Sequence, residues 1–221
     1  RLRRGPIERQ PMNLKLFSNP RVIRRFVILM CIATFAMFTF WAVLNSFIKP
    51  PPGDYEVRQG DILLGDGKYD KAVERFNAAL ALTPDHRGAL MGRALVFLQA
   101  GSHTEAEAEF TYLIKYLQGN LEPDDITGIA VFAAAYTNRG ILYDRTERYE
   151  KALQDYIRAL KIDEGAIEGP GIIDRVIYGT PRPATVRKRA IYLQQQFALP
   201  EDQRVLRIPE KDAEQRMYKP Y

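Results

Sequence analysis

Few residues in this chain could do proton, metal or nucleophile chemistry. His86 and His103 are its only histidines, and Cys31 is its only cysteine. A lone cysteine closes no internal disulfide and forms no CxxC metal or haem-attachment pair. His86 follows Pro84 in what reads as a turn and His103 stands in a similar turn, so both take structural roles. Carboxylates gather twice, at Asp124-Asp125 and in the alternating run Glu105, Glu107, Glu109. A metal site needs such groups to converge, whereas alternate residues on a helix point around its axis. The run therefore reads as a solvated face. GxSxG, P-loop, HExxH and GxGxxG sequences are all absent. The expectation is a chain with no catalytic residue, no cofactor and no metal: not an enzyme.

What the chain does carry is a repeated pattern of large and small residues. Gly67, Tyr69, Ala72, Phe76, Ala79 and Pro84 set it within YDKAVERFNAALALTP. Gly101, His103, Ala106 and Phe110 repeat its first half, with Ala106 thirty-four residues after Ala72. Glu147, Tyr149, Ala152, Tyr156, Ala159 and Leu160 repeat it again, forty-six residues further on. The excess of twelve falls on the insertion-prone stretch GNLEPDDITG. Small residues such as Gly60, Ala72 and Ala79 let helices approach closely. Tyr69, Phe76, Phe110, Tyr149 and Tyr156 fill the seams, each worth about 1.5–3 kcal/mol if fully buried.

A thirty-four-residue period with this spacing resembles the tetratricopeptide repeat. The match covers roughly residues 53–164, and the copy with Tyr136, Gly140, Tyr143, Tyr149, Ala152, Tyr156 and Ala159 is the cleanest. The resemblance implies an all-α solenoid of three helix pairs stacked around a concave surface. Gly60, Tyr69, Ala72, Phe76, Ala79, Ala106, Phe110, Gly140, Tyr149, Ala152, Tyr156 and Ala159 would be its packing residues. Glu56 and Gln59 stand where the family usually has large apolar side chains, which places the start of the first helix late. Leu113 replaces the second small residue of the middle repeat, and Glu164 the last proline. The resemblance also assigns a groove to the first helix of each pair. Its candidates are Val57, Asp61, Leu64, Met91, Leu95, Leu98, Thr137, Ile141, Asp144 and Arg145. Family members that clamp a C-terminal carboxylate carry lysine, arginine and asparagine on these faces. Val57, Asp61, Met91 and Leu95 replace them here, so the expected occupant is an amphipathic helix or a basic extended segment.

The net charge of +5 is the sum of unlike regions. Residues 1–25 carry eight basic residues against Glu8, and residues 50–165 carry thirteen basic and nineteen acidic. Much of the excess basic charge thus sits at one end, which argues against a nucleic-acid surface. After the basic segment 1–19, Pro20 follows Asn19 as a helix start. FVILMCIATFAMFTFWAVL, residues 26–44, then holds no charge, and Asn45 to Ile48 extend the uncharged run. Nineteen to twenty-three such residues cross a hydrocarbon core of about 30 Å at about 1.5 Å each. Residues 20–49 are expected to form a transmembrane helix, anchored by Arg21, Arg24, Arg25 and Trp41. Basic residues concentrated before it place the N-terminus in the cytoplasm, matrix or stroma, and the repeats on the opposite, periplasmic or equivalent side. A chain that begins with Arg1 is expected to lack some residues ahead of it. Pro50-Pro51-Pro52-Gly53 forms a linker in which three prolines reach only about 9 Å, so the repeat domain, residues 54–164, is expected near the bilayer.

Residues 165–198 begin with the breakers Gly165, Gly169, Pro170, Gly171, Pro181 and Pro183. They end in a helix with Val186, Ala190, Leu193 and Phe197 on one face, suited to capping the solenoid. Residues 199–221 scatter apolar side chains among charges and three prolines, and such a segment builds no core alone. It reads as an extended tail. Arg204, Arg207, Lys211 and Arg216 point to a polar contact with a partner subunit rather than with the tail's own groove.

These readings make the chain a single-pass, non-catalytic protein–protein interaction scaffold. Its partners would be subunits of a membrane protein complex and the lipid bilayer, with no nucleic acid and no small-molecule substrate. It would be an accessory or assembly subunit, and the reading extends to an energy-transducing complex, electron-transport or photosynthetic. The alternatives are a membrane-tethered periplasmic chaperone and a cytochrome maturation factor.

Overall fold

A computed structural model describes residues 20–47, 50–163 and 186–209. The basic segment 1–19, the breakers from Gly165 to Pro183, and the tail end with Lys211 and Arg216 lie outside the described residues. All regular structure described is helical. The chain divides into two units, Arg1–Pro50 and Pro51–Tyr221.

The first unit holds α1, Pro20–Phe47, whose 28 residues carry Arg21, Arg24 and Arg25 in the first two turns. The most apolar 18-residue window of Pro20–Asn45 has a mean hydropathy of 2.4, and none of its side chains is buried among the described residues. Trp41 is exposed. Thr39 satisfies its hydroxyl on its own helix, donating to the carbonyls of Phe35 at 3.0 Å and Ala36 at 2.9 Å. A polar side chain with no outside partner is accommodated in that way. By length and composition α1 suffices to cross a membrane.

The second unit stacks six helices as three hairpins. They are α2 Asp54–Gly65 with α3 Tyr69–Leu82, α4 Arg87–Ala100 with α5 His103–Asn120, and α6 Ile126–Arg145 with α7 Tyr149–Ile162. Each hairpin turns through one left-handed residue: Gly67 at φ 72°, Gly101 at φ 80° and Glu147 at φ 60°. The third copy thus asks a side-chain-bearing residue to adopt what glycine does freely. Contrary to the late start expected from Glu56 and Gln59, α2 begins at Asp54. Gly53, at φ 99°, turns the chain there, and the Pro52 carbonyl accepts a hydrogen bond from the Thr83 hydroxyl at 2.9 Å. Backbone capping and tertiary contact set that start, which side-chain size at two later positions does not report.

The small–large pattern produces ring-in-slot packing. Phe76 of α3 is fully buried between Gly60 of α2 and Gly92 of α4. A β-carbon on Gly60 would lie 2.6 Å from the ring. Tyr156 meets Gly140 in the same manner, at 2.7 Å. Ala72, Ala79, Ala106, Phe110, Ala152 and Ala159 are likewise buried, while Tyr69 and Tyr149 are half-buried against the core. Leu113, at the place of a small residue, is fully buried.

The insertion appears as longer helices rather than as a loop. α5 has 18 residues and α6 has 20, against 14 each for α3 and α4. Arg87 of α4 pairs with Asp125, whose carboxylate also accepts from the Gly128 N–H at 2.7 Å as the cap of α6. That capping, together with Arg87, holds the Asp125 carboxyl below its usual range. α8, Val186–Phe197, closes the stack against α7 with Val186, Ala190 and Leu193 buried and Phe197 partly so. A short 3-10 turn, Glu201–Gln203, follows it.

Candidate interaction surface

The first helices of the three hairpins, α2, α4 and α6, lie side by side. Eight of the ten groove candidates on them are buried: Val57, Leu64, Met91, Leu95, Leu98, Thr137, Ile141 and Asp144, none more than 8% exposed. Val57 faces Gly88 across the α2–α4 contact, and the Asn138 amide donates to the Met91 sulfur at 3.6 Å across α4–α6. In the free chain these side chains pack one repeat on the next, and only Asp61 and Arg145 keep surface. The physical reason is that a first helix has two covered sides. One meets its own partner helix and the other meets the neighbouring repeat, and large apolar residues fill both.

Between repeats the structure places a charged clamp that recurs. Arg93 of α4 donates to Asn77 of α3 at 2.6 Å and to Glu109 of α5 at 2.6 Å. Arg139 of α6 donates to Thr111 of α5 at 3.0 Å and holds Asp155 of α7 bidentately at 2.7 and 2.9 Å. The two arginines occupy equivalent repeat positions, each joining its own second helix to the preceding one. Planar guanidinium suits this bridging because it donates in two directions at once. Burial pushes the Asp155 carboxyl up, with Arg139 offsetting only part of it. A third contact joins Glu107 to the Tyr143 hydroxyl at 2.9 Å and to Arg148 at 2.6 Å. Burial raises the Glu107 carboxyl, but these two donors outweigh it and hold it below its usual range. Burial and the bond to Glu107 push Tyr143 up to about 12. Arg148 and Lys151 also lie over the Tyr143 ring. The alternating glutamates are therefore no simple solvated face, since Glu107 and Glu109 are engaged by arginines of neighbouring elements.

The clamp residues escaped the size pattern but repeat at its offsets. Asn77 and Thr111 are thirty-four apart, and Arg93 and Arg139 forty-six, as are Glu109 and Asp155. His86 is structural here. Its Nδ1 accepts from the Ala89 N–H at the start of α4, and its Nε2 meets Asp54 at 3.0 Å.

At the C-terminal end Asp144 binds Arg189 of α8 through two hydrogen bonds, at 2.7 and 2.6 Å. The Tyr156 hydroxyl donates to the same carboxylate at 3.2 Å, and Arg189 also donates to the Leu206 carbonyl at 2.9 Å. Burial and the neighbouring carboxylate hold Tyr156 well above the usual tyrosine range. The start of the tail runs back along α8. The Tyr192 hydroxyl donates to the Val205 carbonyl at 2.6 Å, Gln196 accepts from the Val205 N–H at 2.7 Å, and Leu206 packs on the core. Arg204 donates to the Leu199 carbonyl at 2.9 Å and Arg207 to Glu147 at 3.1 Å. These two arginines, expected to meet a partner subunit, bind their own chain. Tyr192 and Gln196 of α8 hold the tail backbone at Val205 against its own chain, a contact that charge pattern alone does not show.

Stacked helix pairs of this geometry, with small residues at the crossings and a terminal helix, define an interaction solenoid. Family models described as tetratricopeptide repeat match residues 57–118 and 133–165. The chain carries tetratricopeptide repeats over these two stretches, and proteins with such repeats mediate protein–protein interactions. Human tetratricopeptide repeat protein 13 is 26% identical over 129 residues, covering 47% of this chain and 15% of its own. The Hsp70-Hsp90 organizing protein of Triticum aestivum is 24% identical over 119 residues, covering 54% and 18%. The chain thus spans under a fifth of the length of these relatives. The solved first TPR of Spaghetti (RPAP3) bound to the HSP90 peptide SRMEEVD has 16% identity and a TM-score of 0.48. That likeness covers 69% of this chain and 98% of that one.

Proposed function

We propose that this chain is a membrane-anchored, non-catalytic scaffold that serves as an accessory or assembly subunit of a membrane protein complex. The carrying observation is the uncharged run within α1, long enough to span a bilayer and with no side chain buried among the described residues, attached to an interaction solenoid. A hydrophobic helix that the described residues leave exposed takes lipid or another membrane helix as its surroundings. Arg21, Arg24 and Arg25 ahead of the run, joined by five more basic residues before them, favour an N-in orientation. With eight groove candidates buried, the repeats would engage partners through Asp61, Arg145 and the outer faces of the helices.

The test is purification from detergent-solubilised membranes, read by quantitative mass spectrometry. A subunit resists alkaline carbonate extraction and co-purifies with one set of membrane proteins at a fixed ratio through salt. Release by carbonate overturns the anchor, and a substoichiometric spread of many clients overturns the subunit role in favour of a chaperone.

A further inference from the structure

The two ends of the solenoid are finished differently. At one end α8 covers the last hairpin with Val186, Ala190 and Leu193, and Arg189 closes on Asp144. At the other end stands α2, whose inner side buries Val57, Gly60 and Leu64. Its outer side carries Tyr55 and Ile62, each 60% exposed and two turns apart on one face. Terminal repeats of a solenoid ordinarily turn a polar face outward. Arg58 lies between them on the same side, exposed and with no ion-pair partner among the described residues. No described residue covers this stripe.

We infer that the Tyr55–Arg58–Ile62 face of α2 rests on the lipid headgroup interface of the bilayer crossed by α1. The inference builds on the reading of α1 as a membrane span. Chain continuity carries it first: six residues, 48–53, separate α1 from α2. Even fully extended they carry the chain only about 25 Å, and three of them are prolines. The headgroup zone itself is about 5–8 Å deep on each side of the hydrocarbon. The composition of the stripe carries it second. Tyrosine presents an apolar ring with a polar tip and prefers that zone. Isoleucine adds apolar area, and an unpaired guanidinium between them matches a lipid phosphate with two donors. A rim of this kind contributes modest affinity by itself. On a tethered domain that suffices to bias orientation, because the second contact is intramolecular.

The test uses the full chain with Cys31→Ala, reconstituted in mixed phosphatidylcholine–phosphatidylglycerol vesicles. An environment-sensitive fluorophore is attached at Ile62→Cys, at Ile126→Cys as an exposed control on α6, and at Trp41→Cys as a marker for α1. Lipids spin-labelled near the headgroup then report contact. The inference expects blue-shifted, strongly quenched emission at position 62, with position 126 several-fold less quenched. Addition of Arg58→Glu should reduce the quenching at 62 while circular dichroism stays unchanged. Quenching at 41 without quenching at 62 overturns the inference and leaves the span reading intact. Absence of quenching at 41 overturns both. A blue shift at 62 that spin-labelled lipid does not quench assigns the face to protein, a second copy or a partner, and overturns the lipid assignment.

Discussion

Substituting glycine by alanine at two helical positions should move stability in opposite directions, and the difference isolates the Phe76 slot. Gly119 in α5 has open space around the position of a β-carbon. Gly119→Ala should gain up to about 1 kcal/mol from helix propensity, less near the helix end. Gly92 sits in α4 against Phe76, and a β-carbon there would come closer than 3.0 Å to three ring atoms. The ring cannot retreat, because Gly60 lies against it on the other side and Phe76 has no exposed surface. Overpacking of this sort costs about 1–3 kcal/mol. With the ring held from both sides the upper end applies, leaving Gly92→Ala destabilised by about 2 kcal/mol after the same propensity gain. In a domain of this size about 2 kcal/mol lowers Tm by about 4–8 °C. The assay is thermal unfolding of the full chain in mild detergent followed at 222 nm, with Gly92→Ala, Gly119→Ala, Phe76→Leu and Gly92→Ala/Phe76→Leu compared. Shrinking the ring should recover part of the loss in the double variant, since neighbouring substitutions couple. Equal stability of Gly92→Ala and Gly119→Ala would refute the slot, as would a double variant whose losses simply add.

Arg189→Met should destabilise the C-terminal cap by about 3–5 kcal/mol, because it strands the buried Asp144 carboxylate. Arg189→Met/Asp144→Leu should recover most of that, and hydrogen exchange in α7 and α8 will show whether it does. Glu147→Gly should stabilise by about 0.5–1 kcal/mol, relief of the left-handed strain outweighing the added freedom of the unfolded chain. Its exposed pair with Arg207 is a small loss. A fall in Tm would place the strain elsewhere. On alkaline titration read at 295 nm, Tyr143 and Tyr156 should lag behind tyrosines that ionise near pH 10. A folded-state value raised above the unfolded one contributes stability that is complete below pH 10. It is lost as pH climbs toward about 12 through Tyr143, so the lagging tyrosines should ionise together with loss of helix.

The stack of hairpins was legible in the sequence because close helix crossings demand residue size at fixed spacing. Gly60, Ala72, Phe76, Gly140, Ala152 and Tyr156 could be placed in their seams by counting. The three turns were legible too, through Gly67, Gly101 and Glu147 at equivalent positions. The uncharged run of α1 needed only its length and composition. The helical face lining a groove could not be told from the face packing on the next repeat. Both ask for apolar side chains at the same period, and only the closeness of α2, α4 and α6 decides that Met91, Leu95 and Thr137 are interior. The same holds for the charged residues. Arg139 and Arg189 are strongly polar in sequence and largely or fully buried in the fold, because carboxylates from neighbouring helices arrive to pair them. Composition states which groups must be satisfied. Which partner satisfies them depends on long-range contact, and that is a property of the tertiary structure alone.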